Sequence, residues 1–193
     1  GSLLLSFTVA SAVLARIGED SLGAHQIAFQ LFVFLALVLD AVAIAGQVMV
    51  GRALGAGDAV GAFDAARRMC GWALAAGCLL ALALLAGTEV IPGLFTGDEA
   101  VVARAEEIWP LFAFMQLPGA LVFALDGILI GAGDTRYLAW AMAATAAVFV
   151  PLALLASSIG GVWWALQVLM LSRLAATGLR FLSRRWVVVG AGA

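Results

Sequence analysis

The feature that most constrains this chain is the recurrence of apolar runs about as long as a lipid bilayer is thick. A helix rises about 1.5 Å per residue, so roughly 20 apolar residues cross a hydrocarbon core of about 30 Å. Such runs occur at residues 22–50, 63–86, 110–130, 137–156 and 162–182, and a shorter one opens the chain at 3–15. They are continuous stretches of Ala, Leu and Val, without the polar–apolar alternation of barrel strands. In hydrocarbon, a helix satisfies every backbone group within its own segment. The sequence therefore predicts an all-α integral membrane protein: a six-helix transmembrane bundle with a truncated first helix, forming a single membrane domain over residues 1–193. The charge content agrees. Charged residues make up 11% of the chain and hydrophobic ones 65%, too few charges for a soluble surface and too much apolar mass for disorder.

The connections at 16–21, 55–61 and 157–161 are short and imply antiparallel neighbours. The longest, 89–109, holds Thr96 and Glu99 at capping-box spacing, which predicts a short separate helix there, with Pro110 breaking the chain before the next span. The chain opens on Gly1, Ser2 and Leu3 with no basic region or cleavage site, so it does not begin with a signal peptide. It starts inside an apolar run, which predicts a piece of something longer.

Orientation follows from arginine placement, since the chain has no lysine. Arg52, Arg67, Arg68, Arg136, Arg180, Arg184 and Arg185 fall on one side of the predicted bundle, and Arg16 and Arg104 on the other. The positive-inside rule makes the arginine-rich side, with the C-terminus, cytoplasmic.

Two segments echo each other. Gly51-Arg-Ala-Leu-Gly55-Ala-Gly57-Asp58 ends the second run, and Gly127-Ile-Leu-Ile-Gly131-Ala-Gly133-Asp134 ends the fourth. Both read G-x-x-x-G-A-G-D. Glycines four apart let helix backbones approach closely in lipid, and the glycine that follows supplies a helix stop.

Polar residues inside the runs are costly and need a reason. An Asp at the centre of a membrane helix costs about 2.5–3.5 kcal/mol on insertion scales. Asp40 and Asp126 are the two candidates, with Asp40 expected nearer mid-membrane and Asp126 about two turns from its cytoplasmic helix end. At helical spacing Gln26, Asp40 and Gln47 share one stripe, which Gln30 widens; such a stripe faces protein or a water-filled cavity. A carboxylate there can bind a proton or a cation, or bridge two helices. Gln116 lies beside Pro118 and Gly119, where a bent helix could bare backbone. Arg173, inside the last run, either snorkels or pairs with an acid such as Asp126. Trp163, Trp164 and Trp186 fall near helix ends, as in an aromatic belt.

Other chemistries find no support. No zinc-protease, nucleophile-elbow or P-loop motif is present, so the chain reads as a non-enzyme. One histidine offers no metal site, and Cys70 and Cys78 read as small apolar residues. No basic patch suits nucleic acid.

Five stretches in order carry a family resemblance: Leu22-Gly-Ala-His-Gln-Ile-Ala-Phe-Gln30, Leu39-Asp-Ala-Val-Ala-Ile-Ala-Gly-Gln47, Val50-Gly-Arg-Ala-Leu-Gly-Ala-Gly-Asp58, Leu94-Phe-Thr-Gly-Asp98, and Leu125-Asp-Gly-Ile-Leu-Ile-Gly-Ala-Gly-Asp-Thr-Arg-Tyr137. Together they resemble the multidrug and toxic compound extrusion (MATE) family, in particular its DNA-damage-inducible (DinF-like) branch. The resemblance implies a twelve-helix transporter of two six-helix lobes, of which this chain is similar to the C-terminal one. It implies export of drugs or toxic organic compounds by antiport with H⁺ or Na⁺, no cofactor beyond that coupling ion, and a multi-pass location in the bacterial inner membrane. The partners it implies are the lipid bilayer, a small organic substrate and the N-terminal lobe. Asp40 and Asp126 match positions typical of that branch, and the cost of polar groups inside the runs, not the resemblance, assigns substrate or cation coupling to Asp40, Asp126, Gln26, Gln30, Gln47 and Gln116. Two alternatives stay open: a lipid-linked sugar flippase of the same superfamily, which should line its cavity with Arg or Lys, and a non-transporting membrane scaffold subunit, which would need no buried Asp.

Overall fold

The described residues form six α-helices: α1 (Ser2–Ile17), α2 (Glu19–Gly55), α3 (Ala59–Ala86), α4 (Glu99–Gly131), α5 (Thr135–Leu155) and α6 (Ile159–Leu182). This is a computed structural model that describes residues 2–189. Five of the helices, α2 to α6, are long and apolar enough to cross a membrane; α1 has 16 residues and is shorter. No strand occurs among the described residues.

The helices reach further than the apolar runs. Gly18 alone separates α1 from α2, so most of the connection predicted at 16–21 is helical. A second correction concerns the long connection. Its helix is capped by Asp98, whose carboxylate accepts from the Ala100 and Val101 amides, while Thr96 Oγ1 accepts from the Asp98 amide. No separate helix starts at Thr96, because α4 runs unbroken from Glu99 through Pro110 to Gly131; the connection's own helical turn is a three-residue 3-10 helix at Pro92–Leu94. Pro110 is exposed, and the bond it forfeits would have used the carbonyl of Glu106, also exposed, so the loss leaves no buried orphan.

The echoed ends adopt one geometry. The amides of Gly57 and Asp58 bond to the carbonyls of Leu54 and Ala53; those of Gly133 and Asp134 bond to Ile130 and Leu129. Each is a Schellman stop, with Gly57 at φ 79° and Gly133 at φ 76° in the left-handed region. The aspartates then differ. Asp58 caps α3 by accepting from the Gly61 amide at 2.8 Å. Asp134 pairs with Arg180 on α6, at 2.6 and 3.2 Å.

α4 is the central helix, packed against α2, α3 and α6. Its glycines set the approach to α2: a Cβ on Gly127 would strike the carbonyl of Ala43, and one on Gly131 that of Gln47. Both contacts advance by four residues on each helix, so α2 and α4 run parallel and in register. From the other helix, a Cβ on Gly51 would meet the Gly131 carbonyl at 3.2 Å, whereas Gly55 faces open space. Gly55 lies eight residues past Gln47, roughly 12 Å along the axis, so α2 projects beyond the end of α4.

An aromatic cluster fills the end of the bundle near the α1–α2 connection. Phe7 stacks with Phe32 at 4.6 Å, and Trp163 meets His25 and Phe112 edge-on at 5.8 and 5.7 Å. Trp163 is thus core and not belt. Trp186 is buried too, stacked on Phe181, with its Nε1 donating to the Phe181 carbonyl at 3.0 Å. Only Trp164 of the three is exposed. Position near a helix end does not separate belt from core; the neighbouring helix decides.

Candidate functional site

A cavity of about 390 Å³ opens where α1, α2, α4, α5 and α6 converge. Its polar lining is Asp40 and Gln47 from α2, Asp126 from α4 and Arg173 from α6. Phe32, Leu37, Ile44, Phe123 and Met142 supply apolar wall.

The register of α2 and α4 brings the acids together. Asp40 precedes Ala43 by three residues and Asp126 precedes Gly127 by one, so the carboxylates differ in height by about two residues, roughly 3 Å. Asp40 is the farther of the two from the cytoplasmic helix ends, as expected, but by only about two residues. Distance from a helix end misleads when one of two parallel helices projects past the other.

Asp126 is paired. Arg173 Nη2 donates to Asp126 Oδ2 at 2.5 Å. The Arg173 side chain is 3% exposed and that of Asp126 18%, so the pair is largely withdrawn from solvent at the edge of the cavity. Asp126 Oδ1 has no hydrogen-bond partner among the described residues. Pairing on this scale is decisive at low dielectric, where a buried charge left alone costs several kcal/mol. Asp40 and Gln47 are exposed along the cavity wall. With both acids ionised, the lining carries two negative charges against one positive, an arrangement that can hold a single positive charge among apolar walls.

The remaining candidates separate from this group. Gln26 is half-buried, with Nε2 3.5 Å from Ser11 Oγ on α1. Gln30 is exposed and does not line the cavity. Helical spacing aligns Gln26, Gln30, Asp40 and Gln47 correctly, but the stripe spans some 30 Å of axis and passes from α1 to the cavity on the way. Gln116 is buried away from the cavity, its Nε2 donating to the Phe112 carbonyl of its own helix at 3.2 Å. Nearby, Gly77 of α3 packs so closely that a Cβ there would lie 2.8 Å from the Gln116 carbonyl. α4 is continuous through Pro118, which is buried.

Arg173 is the site residue for which sequence left two roles open, and the structure selects the pair with Asp126. Met142 and Phe123 went unmarked in the sequence; as ordinary apolar residues in apolar helices they carry no local signal. His25 is a core residue, Nε2 lying 3.3 Å from the Phe7 carbonyl. Cys70 and Cys78 are free thiols. Among the described residues no cluster of His, Cys, Asp or Glu could hold a metal ion.

Comparison with known proteins bears on what such a bundle is. A family model described as MatE matches residues 2–155. The chain is 30% identical over 186 residues to "Protein DETOXIFICATION 44, chloroplastic" of Arabidopsis thaliana, covering 95% of this chain and 36% of that protein. It is 35% identical over 132 residues to a "Probable multidrug resistance protein NorM" of Xanthomonas campestris pv. campestris, covering 67% of this chain and 28% of the relative. The chain thus spans about a third of the length of the curated relatives it matches. Among solved structures, "Outward-facing conformation of a multidrug resistance MATE family transporter of the MOP superfamily" superposes with a TM-score of 0.85 at 19% identity, covering 98% of this chain and 44% of the other. "Crystal structure of MATE in the bent conformation" gives 0.83 at 20% identity, covering 98% and 44%. At such identities the superpositions establish the fold.

Proposed function

The chain belongs to the MatE family, and from that premise we propose that it forms the C-terminal lobe of a secondary active transporter that exports drugs or toxic organic compounds in exchange for H⁺ or Na⁺. The observation that carries this reading is the cavity, where two membrane-embedded acids at nearly one depth, Asp40 and Asp126, border a mostly apolar space. An apolar wall with a carboxylate suits an amphiphilic organic cation, and the same carboxylate suits the coupling ion. Asp40 and Asp126 are the coupling acids in this reading, and Gln47 a substrate contact. Gln26, Gln30 and Gln116 lie off the cavity wall and serve packing or other surfaces. Alternating access rocks this lobe against an N-terminal lobe around the midplane site. The protein lies multi-pass in a bacterial inner membrane with its C-terminus cytoplasmic, as the arginine asymmetry supports.

The flippase alternative is disfavoured by charge. Holding a pyrophosphate requires unspent cations, and the cavity's one arginine faces Asp126. A scaffold subunit would have no use for two acids on a cavity wall.

The test uses a full-length transporter carrying this lobe, reconstituted in proteoliposomes, with ethidium flux as the readout. Asp40→Asn preserves shape and hydrogen bonding but removes the charge. Normal expression with reduced flux, no longer dependent on the pH or Na⁺ gradient, supports the reading. Full gradient-driven flux in Asp40→Asn removes Asp40 from coupling, and absence of flux in the unsubstituted transporter favours the scaffold.

A further inference from the structure

The Asp126–Arg173 pair has a consequence for what the cavity binds. Three charged groups line it, and one is a cation that belongs to the protein. Arg173 reaches from α6 on a long side chain and donates to Asp126 Oδ2 at 2.5 Å. The other oxygen, Oδ1, is buried and without a hydrogen-bond partner among the described residues, so Arg173 holds the only partnered oxygen of a carboxylate on the cavity wall. A cation reaching this carboxylate from the cavity would stand within a few ångströms of the guanidinium. In a low-dielectric site two like charges at that distance repel by several kcal/mol even at an effective dielectric near 20. The carboxylate therefore serves one cation at a time.

We propose that Arg173 is a tethered counter-cation: it occupies Asp126 when the cavity is empty, and it must withdraw before an organic cation or coupling ion can use that carboxylate. Asp40, which makes no ion pair among the described residues, receives an incoming cation first. Arg173 thereby holds the empty cavity to a net charge of −1, limits it to a single positive charge, and weakens its affinity for monocations. Without this residue the cavity would carry two unopposed acids and bind cations more tightly, a poor property in a carrier that must release its load. This inference rests on the reading of the cavity as a cation site.

The experiment measures binding and not transport, so the two readings fail separately. The purified 193-residue chain in detergent is titrated with ethidium, followed by fluorescence anisotropy, in alkaline buffer so that protons do not compete. Arg173→Gln is expected to tighten binding roughly ten-fold, within the range usual for coupled sites. Asp126→Asn in the same background is expected to abolish that gain, and Arg173→Lys, which keeps a tethered charge, to return the affinity toward that of the unsubstituted chain. Unchanged or weaker binding in Arg173→Gln, with circular dichroism and melting as in the unsubstituted chain, overturns the proposal. So does a gain that persists in Asp126→Asn.

A second measurement does not depend on any variant folding. The rate of phenylglyoxal modification at Arg173 in the unsubstituted chain is read by mass spectrometry, with and without saturating ethidium. Displacement of the guanidinium is expected to raise that rate several-fold. An unchanged or slower rate overturns the proposal. Loss of gradient-driven flux in the complete transporter would instead count against the antiport reading alone.

Discussion

Arg173 and Asp126 stand 47 residues apart in sequence and meet at 2.5 Å across the interior of the bundle. The contact is possible because α5 returns the chain across the bundle, leaving α4 and α6 parallel and adjacent. It turns two charges that are each expensive in a membrane into one neutral unit. It also leaves Asp40 as the cavity's remaining acid.

The α2–α4 contact should depend on two glycines and not on a third. Gly127→Val and Gly131→Val each place side-chain atoms where the Ala43 and Gln47 carbonyls sit, and overpacking of this kind costs about 1–3 kcal/mol. Gly55→Ala meets nothing and should be neutral or slightly stabilising, since Ala is the better helix former by about 1 kcal/mol. Unfolding in mixed micelles would rank the three. Equal destabilisation by Gly55→Ala and Gly131→Val would contradict the close-approach account.

The paired helix stops should respond alike. Gly57 and Gly133 both hold positive φ, so Gly57→Ala and Gly133→Ala should each lose about 1–2 kcal/mol through backbone strain. Asn, which tolerates that region, should recover part of the loss at both sites. Thermal melts of the four variants read this directly.

The two echoed aspartates should respond differently. Asp58→Ala removes a helix cap and should cost about 1 kcal/mol, little affected by Arg180. Asp134→Ala removes a two-point ion pair whose side chains are 14% and 22% exposed. A double-mutant cycle of Asp134→Ala with Arg180→Ala should give a coupling of about 1 kcal/mol that shrinks in high salt. No coupling, or the same coupling between Asp58 and Arg180, would refute the distinction.

Membrane orientation is open to thiol labelling. With Cys70 and Cys78 first replaced by Ala, single cysteines at Asp58 and Ser183 should react only with reagents that cross the membrane, and one at Asp98 with impermeant reagents from outside. Outside labelling at Asp58 would show that the arginine asymmetry had been misread.

The spans and the glycine stops of α2 and α4 were largely legible in the residues, because each depends on what lies within a turn or two, whereas the cap of α4 fell to Asp98 and not Thr96. An apolar run of bilayer length leaves helix as the outcome. The G-A-G-D motifs stop α2 and α4 as their composition predicts, because a Schellman stop needs only its own glycine and the carbonyls just before it. The boundaries were harder. Polar first turns such as Glu19–Ser21 and Glu99–Val102 extend the helices beyond the apolar runs, since a helix does not end where hydrocarbon ends.

The sequence by itself determined a helical membrane bundle, the costly acids Asp40 and Asp126, and the presence of a lone interior Arg173. Only the tertiary structure decided which of these groups meet. Helical periodicity gives a residue's angle around its own axis, but neither the height of one helix against another nor what covers each level of a stripe. That height was set by Gly127 and Gly131 closing onto the Ala43 and Gln47 carbonyls. It brought Asp40 to within about 3 Å of the height of Asp126, left Gln30 outside the cavity, and with α6 alongside aimed Arg173 at Asp126. Contacts between helices are made across dozens of residues of chain, and no local pattern records them.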